Sequence, residues 1–233
     1  MSKLSQHAGK GTEQVTDTKT AYLKIAQTLS DECIKQKPNY IPGLEAGMFF
    51  CPTTKKVFGA EIDVIVLATR KSYLITNDKD EFIGFEDCIQ PTWHRDADGR
   101  LRTEKGEIAK VQYSYLVVTP DKLDEPMVLI IKKSDIPAAR DWNTMIKTTK
   151  LEDGSLCPIF GVIYTLSTVF RENDSGSWFS LTTGRATSIK AKSLIPDELV
   201  DTVAELYEQQ AKAMALASTQ TQALPETTEE KDL

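Results

Sequence analysis

Residues 61–76 read EIDVIVLATRKSYLIT, the most β-like run in the chain. Glu61 to Leu67 is almost entirely branched or apolar, the composition of a strand buried on both faces. Just upstream, GMFFCPTTKKVFG (residues 47–59) reads as a strand, a Pro-Thr turn and a return strand. PNYIPG (residues 38–43) is a turn-rich connection. Order is expected to begin at AYLKIAQTLS (residues 21–30), anchored by Tyr22, Leu23 and Ile25. Residues 1–20 are polar with no apolar period, so disorder is expected there.

Downstream, residues 86–107 turn polar. HRDADGRLRTEKGE (residues 94–107) carries Asp98-Gly99, a hairpin signal. Asp96 and Asp98 before a glycine also echo a calcium loop, but the full loop needs a third early acid and a glutamate at its last position, and the pattern is incomplete. VQYSYLVV (residues 111–118) and MVLII (residues 127–131) are two more strands. Val111, Tyr113, Tyr115 and Val117 share one face of the first. SDIPAARDWNTMIKTTK (residues 134–150) follows as a short helix. Ser134 is its N-cap, Pro137 sits in its first turn, and Ala138, Trp142, Met145 and Ile146 lie on one face.

GVIYTLSTVFRENDSGSWFSLTTGRA (residues 161–186) reads as two strands joined by a polar turn. Alternation puts Tyr164, Leu166 and Phe170 on one side of the first strand and Arg171 on the other. On the second strand it puts Phe179 and Leu181 opposite Trp178, Ser180 and Thr182. Pro196 opens a second helix, PDELVDTVAELYEQQAKAMALA, whose Leu199, Val203, Leu206 and Tyr207 form a stripe suited to docking on a sheet. The expected plan is a disordered segment 1–20, a mainly β domain over 21–193 with one inserted helix, a helix over 194–217, and a disordered acidic tail over 218–233.

Composition narrows the function. A chain of 233 residues, 40 % hydrophobic, suits one domain with tails. No apolar run approaches the ~20 residues of a membrane helix, and the N-terminus lacks a secretion signal's apolar core. A cytoplasmic protein is expected. The four cysteines are far apart and only two histidines are present, so neither a disulfide frame nor a zinc site is called for. No metal or cofactor is expected. Phosphate-loop, zinc-protease and nucleophile-elbow signatures are absent, so no catalytic residue is assigned.

Charge is uneven. The net charge is −6, yet residues 126–193 carry nine basic and six acidic side chains. The tail then turns acidic with Glu226, Glu229, Glu230 and Asp232, ending on Leu233. A half-wet tryptophan near arginines suggests a base-stacking platform, although Trp178 could equally pack under a loop. Lys132 and Lys133 could contact phosphates or simply end a strand in solvent.

The segments AYLKIAQTLSDE, IPGLEAGMFFCPTTKKVFGAEIDVIVLATRKSYLI, KKSDIPAARDWNTMI and PIFGVIYTLSTVFRENDSGSWFSLT, in that order, resemble a family of tailed-phage single-stranded DNA-binding proteins. The resemblance spans residues 21–186. It implies an OB-fold-like β-barrel and a sequence-tolerant single-stranded DNA-binding role in replication or recombination, in the cytoplasm of the infected host. On that reading Trp178, Tyr113 and Trp93 stack bases, and Lys132, Lys133, Arg171, Arg185, Arg70 and Lys71 hold the backbone. The tail, Glu226 to Leu233, would recruit replication or recombination proteins, although known phage tails of this kind end in an aromatic; it could equally be a solubilising tail. A protein-interaction module binding a host or phage protein is the alternative. A nuclease accessory or metal-dependent enzyme, which would need a carboxylate cluster, is a third reading.

Overall fold

The computed structural model describes residues 20–174 and 176–221. Its elements begin with β1 (Tyr22–Ile25), β2 (Phe49–Cys51), β3 (Lys56–Gly59), β4 (Glu61–Thr76), β5 (Phe82–Glu86), β6 (His94–Arg95), β7 (Leu101–Arg102) and β8 (Ile108–Thr119). They continue with β9 (Lys122–Lys132), α1 (Ile136–Thr148), β10 (Val162–Ser167), β11 (Val169–Asn173), β12 (Gly176–Ser180), β13 (Ile189–Leu194) and α2 (Asp197–Thr221). Strands take 45 % of the structure and helices 17 %, which makes the protein mainly β, its sheet curled into a half-barrel.

The main sheet runs β13-β10-β4-β8-β9-β1-β2-β3, with β5 added to β4 and the β6–β7 hairpin attached to β8. β4 holds it together. It pairs with β10 through residues 61–65, with β8 through 65–76 and with β5 through 73–76. Its first half is sealed on both faces, as its composition predicts. Ile62, Val64 and Val66 join Tyr115, Val117, Leu129, Tyr164 and the α1 residues Ala138, Ala139 and Trp142 in the main core. Ile65 and Leu67 face the other way, against Val203 of α2 and Ile195. Each fully buried Val, Leu or Ile contributes about 1.5–3 kcal/mol, so this short run alone anchors both layers.

Past an irregularity between Val66 and Ala68, β4 and β8 continue as an arm with its own small core of Tyr73, Ile75 and Ala109, covered by Trp93, Leu101 and Val111. The Asp98-Gly99 turn closes β6 on β7. Asp96 ties it by accepting the Asp98 and Arg100 amides, at 3.0 and 2.9 Å, and the Arg102 guanidinium, at 2.7 Å. That carboxylate thus serves the turn and an ion pair.

The stripes on both helices dock as expected. On α1, Trp142 is fully buried, with Met145 and Ile146 beside it. Ser134 does not cap it, because residues 133–135 form a 3-10 turn and Asp135 takes the N-cap position. On α2, Val203 is buried, Leu199 and Leu206 flank it, and Tyr207 meets Phe160 at 5.3 Å. The helix runs to Thr221, past the expected end at 217.

Two expectations fail. Residues 161–186 are not one hairpin: β10 belongs to the main sheet, while β11 and β12 form a separate two-stranded sheet. The break falls at Thr168, whose amide donates to the Ala60 carbonyl and whose Oγ1 donates to the Gly47 carbonyl at 2.6 Å. That interruption ends the alternation. Phe170 therefore leaves the side of Tyr164 and Leu166 and lies 57 % exposed, edge-on to Phe179. Tyr22 is likewise exposed, and among the β1 anchors Leu23 alone is fully buried.

Candidate nucleic-acid interface

The sequence-derived site residues fall into three groups. The first is the β11–β12 hairpin. Arg171 and Trp178 are direct cross-strand partners, with the guanidinium 5.2 Å from the indole ring. Both are half-buried, and the indole N–H has no partner among the described residues. The guanidinium also lies against Gly184, where an added Cβ would come within 3.1 Å of it. Arg185 is exposed on the same loop.

On the opposite side of β12, Phe179 presses on Gly47. That position has φ +88, and a Cβ there would stand 2.6 Å from the ring, so only glycine fits. Gln27 secures the strand from its edge. Its amide donates to the Phe179 carbonyl at 3.0 Å and accepts from the Phe179 amide at 2.8 Å. Phe179 thus fixes the hairpin to the half-barrel, and Trp178 and Arg171 pair on the other face of its ladder, with the indole nitrogen itself buried.

The second group is a basic groove. β1 and β9 pair in parallel through only two positions, Tyr22↔Val128 and Leu23↔Leu129. Beyond them a cleft of about 320 Å³ opens, lined by Lys24, Gln27, Ile130, Lys132, Phe179 and Leu181 among others. Asp135 also lines it, but its Oδ1 accepts from the Ser180 hydroxyl and, at 3.0 Å, from the Leu181 amide. A second cleft, of about 370 Å³, contains Lys110, Lys132 and Lys133. Lys132 lines both clefts. Among the described residues, Lys24, Lys132 and Lys133 form no ion pair, so their charge is available.

The third group sits on the β4–β8 arm and is largely engaged in structure. Arg70 binds Asp87 through Nε at 2.9 Å and Nη2 at 2.6 Å. Trp93 stands edge-on to Tyr73 at 5.5 Å. Tyr113 is half-buried between Lys71 and Ile131. Lys71 lies over the Tyr73 ring, and a hydrogen bond with that tyrosine holds its ammonium above the usual lysine range.

Lys24 and Lys110 complete the groove and carry no local signal of it. Each is a single lysine in an alternating strand, and only tertiary convergence makes them part of a site. The acidic tail residues Glu226, Glu229, Glu230, Asp232 and Leu233 lie outside the described residues. Among the described residues no group of three potential metal ligands occurs, and no helix is long and apolar enough to cross a membrane.

A half-barrel with a lysine groove and an arginine–tryptophan hairpin defines the architecture, and the family match defines the source as a phage. The model for the Pam3 phage gp34-like protein family matches residues 1–221, and the chain belongs to that family. No curated protein and no solved structure matches it.

Proposed function

We propose that this phage protein binds single-stranded DNA without sequence preference, in replication or recombination. The observation that supports this reading best is the groove, in which Lys132 joins two clefts and Lys24, Lys132 and Lys133 form no ion pair among the described residues. A row of unpaired ammonium groups suits a phosphate backbone. Its curled sheet is the kind of surface OB-type barrels present to oligonucleotides. The hairpin supplies Trp178 for stacking, with Arg171 and Arg185 beside it.

Fluorescence anisotropy of a labelled poly-T oligonucleotide, with a duplex control at two salt concentrations, tests this. Single-strand binding should weaken with salt, and Lys132→Gln should reduce the log–log salt slope by about 0.7, one phosphate's share. Trp178→Ala should cost about 1–3 kcal/mol per unstacked base. Unchanged affinity in that variant removes Trp178 from the site. No binding at micromolar protein removes the whole reading.

A protein-interaction module is favoured by one feature, the edge strand β5. Phe82, Ile83 and Phe85 are 61 %, 49 % and 57 % exposed, and among the described residues β5 pairs with β4 alone. An apolar strand with a free edge is a template for a partner's strand.

A further inference from the structure

β9 ends opposite Gln112, at Lys132, whereas β8 extends to Ile108. Residues 109–111 therefore have β4 on one side and, among the described residues, no strand on the other. The 370 Å³ cleft lies at this gap, within the range of small-molecule sites, about 300–1,000 Å³. Burial separates its depth from its mouth. Thr76 and Gln112 are 3 % and 7 % exposed, while Lys132 and Lys133 are exposed. Leu74, Val111 and Ile136 supply apolar wall.

Two features point to an anionic occupant. Three lysines, Lys110, Lys132 and Lys133, line the cleft against one carboxylate, Asp80, which is already paired with Lys110. The Thr76 hydroxyl is buried and has no hydrogen-bond partner among the described residues. A buried hydroxyl without a partner is uncommon, and a ligand oxygen would satisfy it. Gln112, whose amide donates to Ser72 Oγ at 3.1 Å, does not partner it either.

We propose that this cleft binds a phosphomonoester of nucleotide size. Its phosphoryl group meets the lysines and the Thr76 hydroxyl, and its sugar or base rests against Leu74, Val111 and Ile136. The volume exceeds the needs of a bare phosphate. A phosphomonoester also brings more negative charge to Lys132 and Lys133, which Asp80 leaves unpaired by holding Lys110, than an internal phosphodiester, which carries one. The chemistry is shared by a free nucleotide and by the phosphorylated end of a strand. The inference deepens the single-strand reading by adding an end-specific or nucleotide-specific subsite to a sequence-tolerant groove.

Calorimetric titration of the full chain with thymidine 5′-monophosphate, thymidine and inorganic phosphate tests it. Anisotropy with 5′-phosphorylated, 3′-phosphorylated and unphosphorylated oligonucleotides runs in parallel. A phosphorylated probe should bind at least about tenfold tighter than its unphosphorylated counterpart, the value of one charge-assisted hydrogen bond. Thr76→Val, which keeps the side-chain shape, and Lys133→Gln should each remove most of that preference. Preference for the free nucleotide or for the strand end identifies the source. Equal binding with and without the phosphate, or a preference that survives both variants, overturns the proposal. If unphosphorylated oligonucleotides still bind, the groove reading stands without the subsite.

Discussion

The two aromatic clusters show how differently tryptophan can be used. Trp142 stacks on Tyr115 at 4.3 Å with an 18° interplanar angle and meets Tyr164 edge-on at 5.6 Å. Its indole N–H makes no hydrogen bond among the described residues, so shape and apolar area hold it. Tyr115 supplies the polar contacts instead, donating its hydroxyl toward the Ala139 carbonyl and the Asn143 amide oxygen. Burial pushes the Tyr115 hydroxyl above its ordinary range and Tyr164 up to about 12. Trp142→Ala should therefore cost about 3–5 kcal/mol. Trp142→Phe should cost much less, since no hydrogen bond is lost. Urea unfolding of the two variants measures the difference. Trp142 was legible in the sequence because the helical period marks it. Phe170 was not, because a bond from Thr168 to a glycine more than a hundred residues away interrupts the strand.

Among the elements, β4, β10 and β13 are linked across one face by a polar row. Asp63 accepts the Thr165 hydroxyl at 2.6 Å and the Lys192 ammonium. Burial alone would raise the Asp63 carboxyl, but bonds from Lys192 and Thr165 outweigh it and hold it below the ordinary aspartate value. A depressed carboxyl stabilises the fold above its unfolded value, and that contribution is lost as pH falls through the folded one. Stability should thus decline below about pH 4, and Asp63→Asn should flatten part of the decline, read as urea midpoints against pH. β4 was the most legible element, since burial on both faces leaves an unbroken apolar run. β5 and β13 were not recognised. Each is an edge strand with one partner, and mostly exposed residues write no burial pattern. The groove was half legible. Adjacent lysines after an apolar strand mark Lys132 and Lys133, but nothing local ties them to Lys24, more than a hundred positions away.

For the molecule as a whole, charge is distributed unevenly along the chain, with the acid of residues 222–233 following a body that carries the lysine groove. If that acid competes with DNA, a chain ending at Thr221 should bind single strands more tightly at low salt, and the difference should shrink as salt screens it. Equal affinity at low salt would leave the tail a solubilising or partner-binding role. The long strand β4 has a separate consequence. Its first half lies between two helices, whereas its second half lies in an arm with a core of only three buried residues. One continuous strand thus spans two levels of local stability. Its amide protons should exchange with deuterium at two rates, slow before Ala68 and faster beyond it, so that the arm can open while the barrel stays closed.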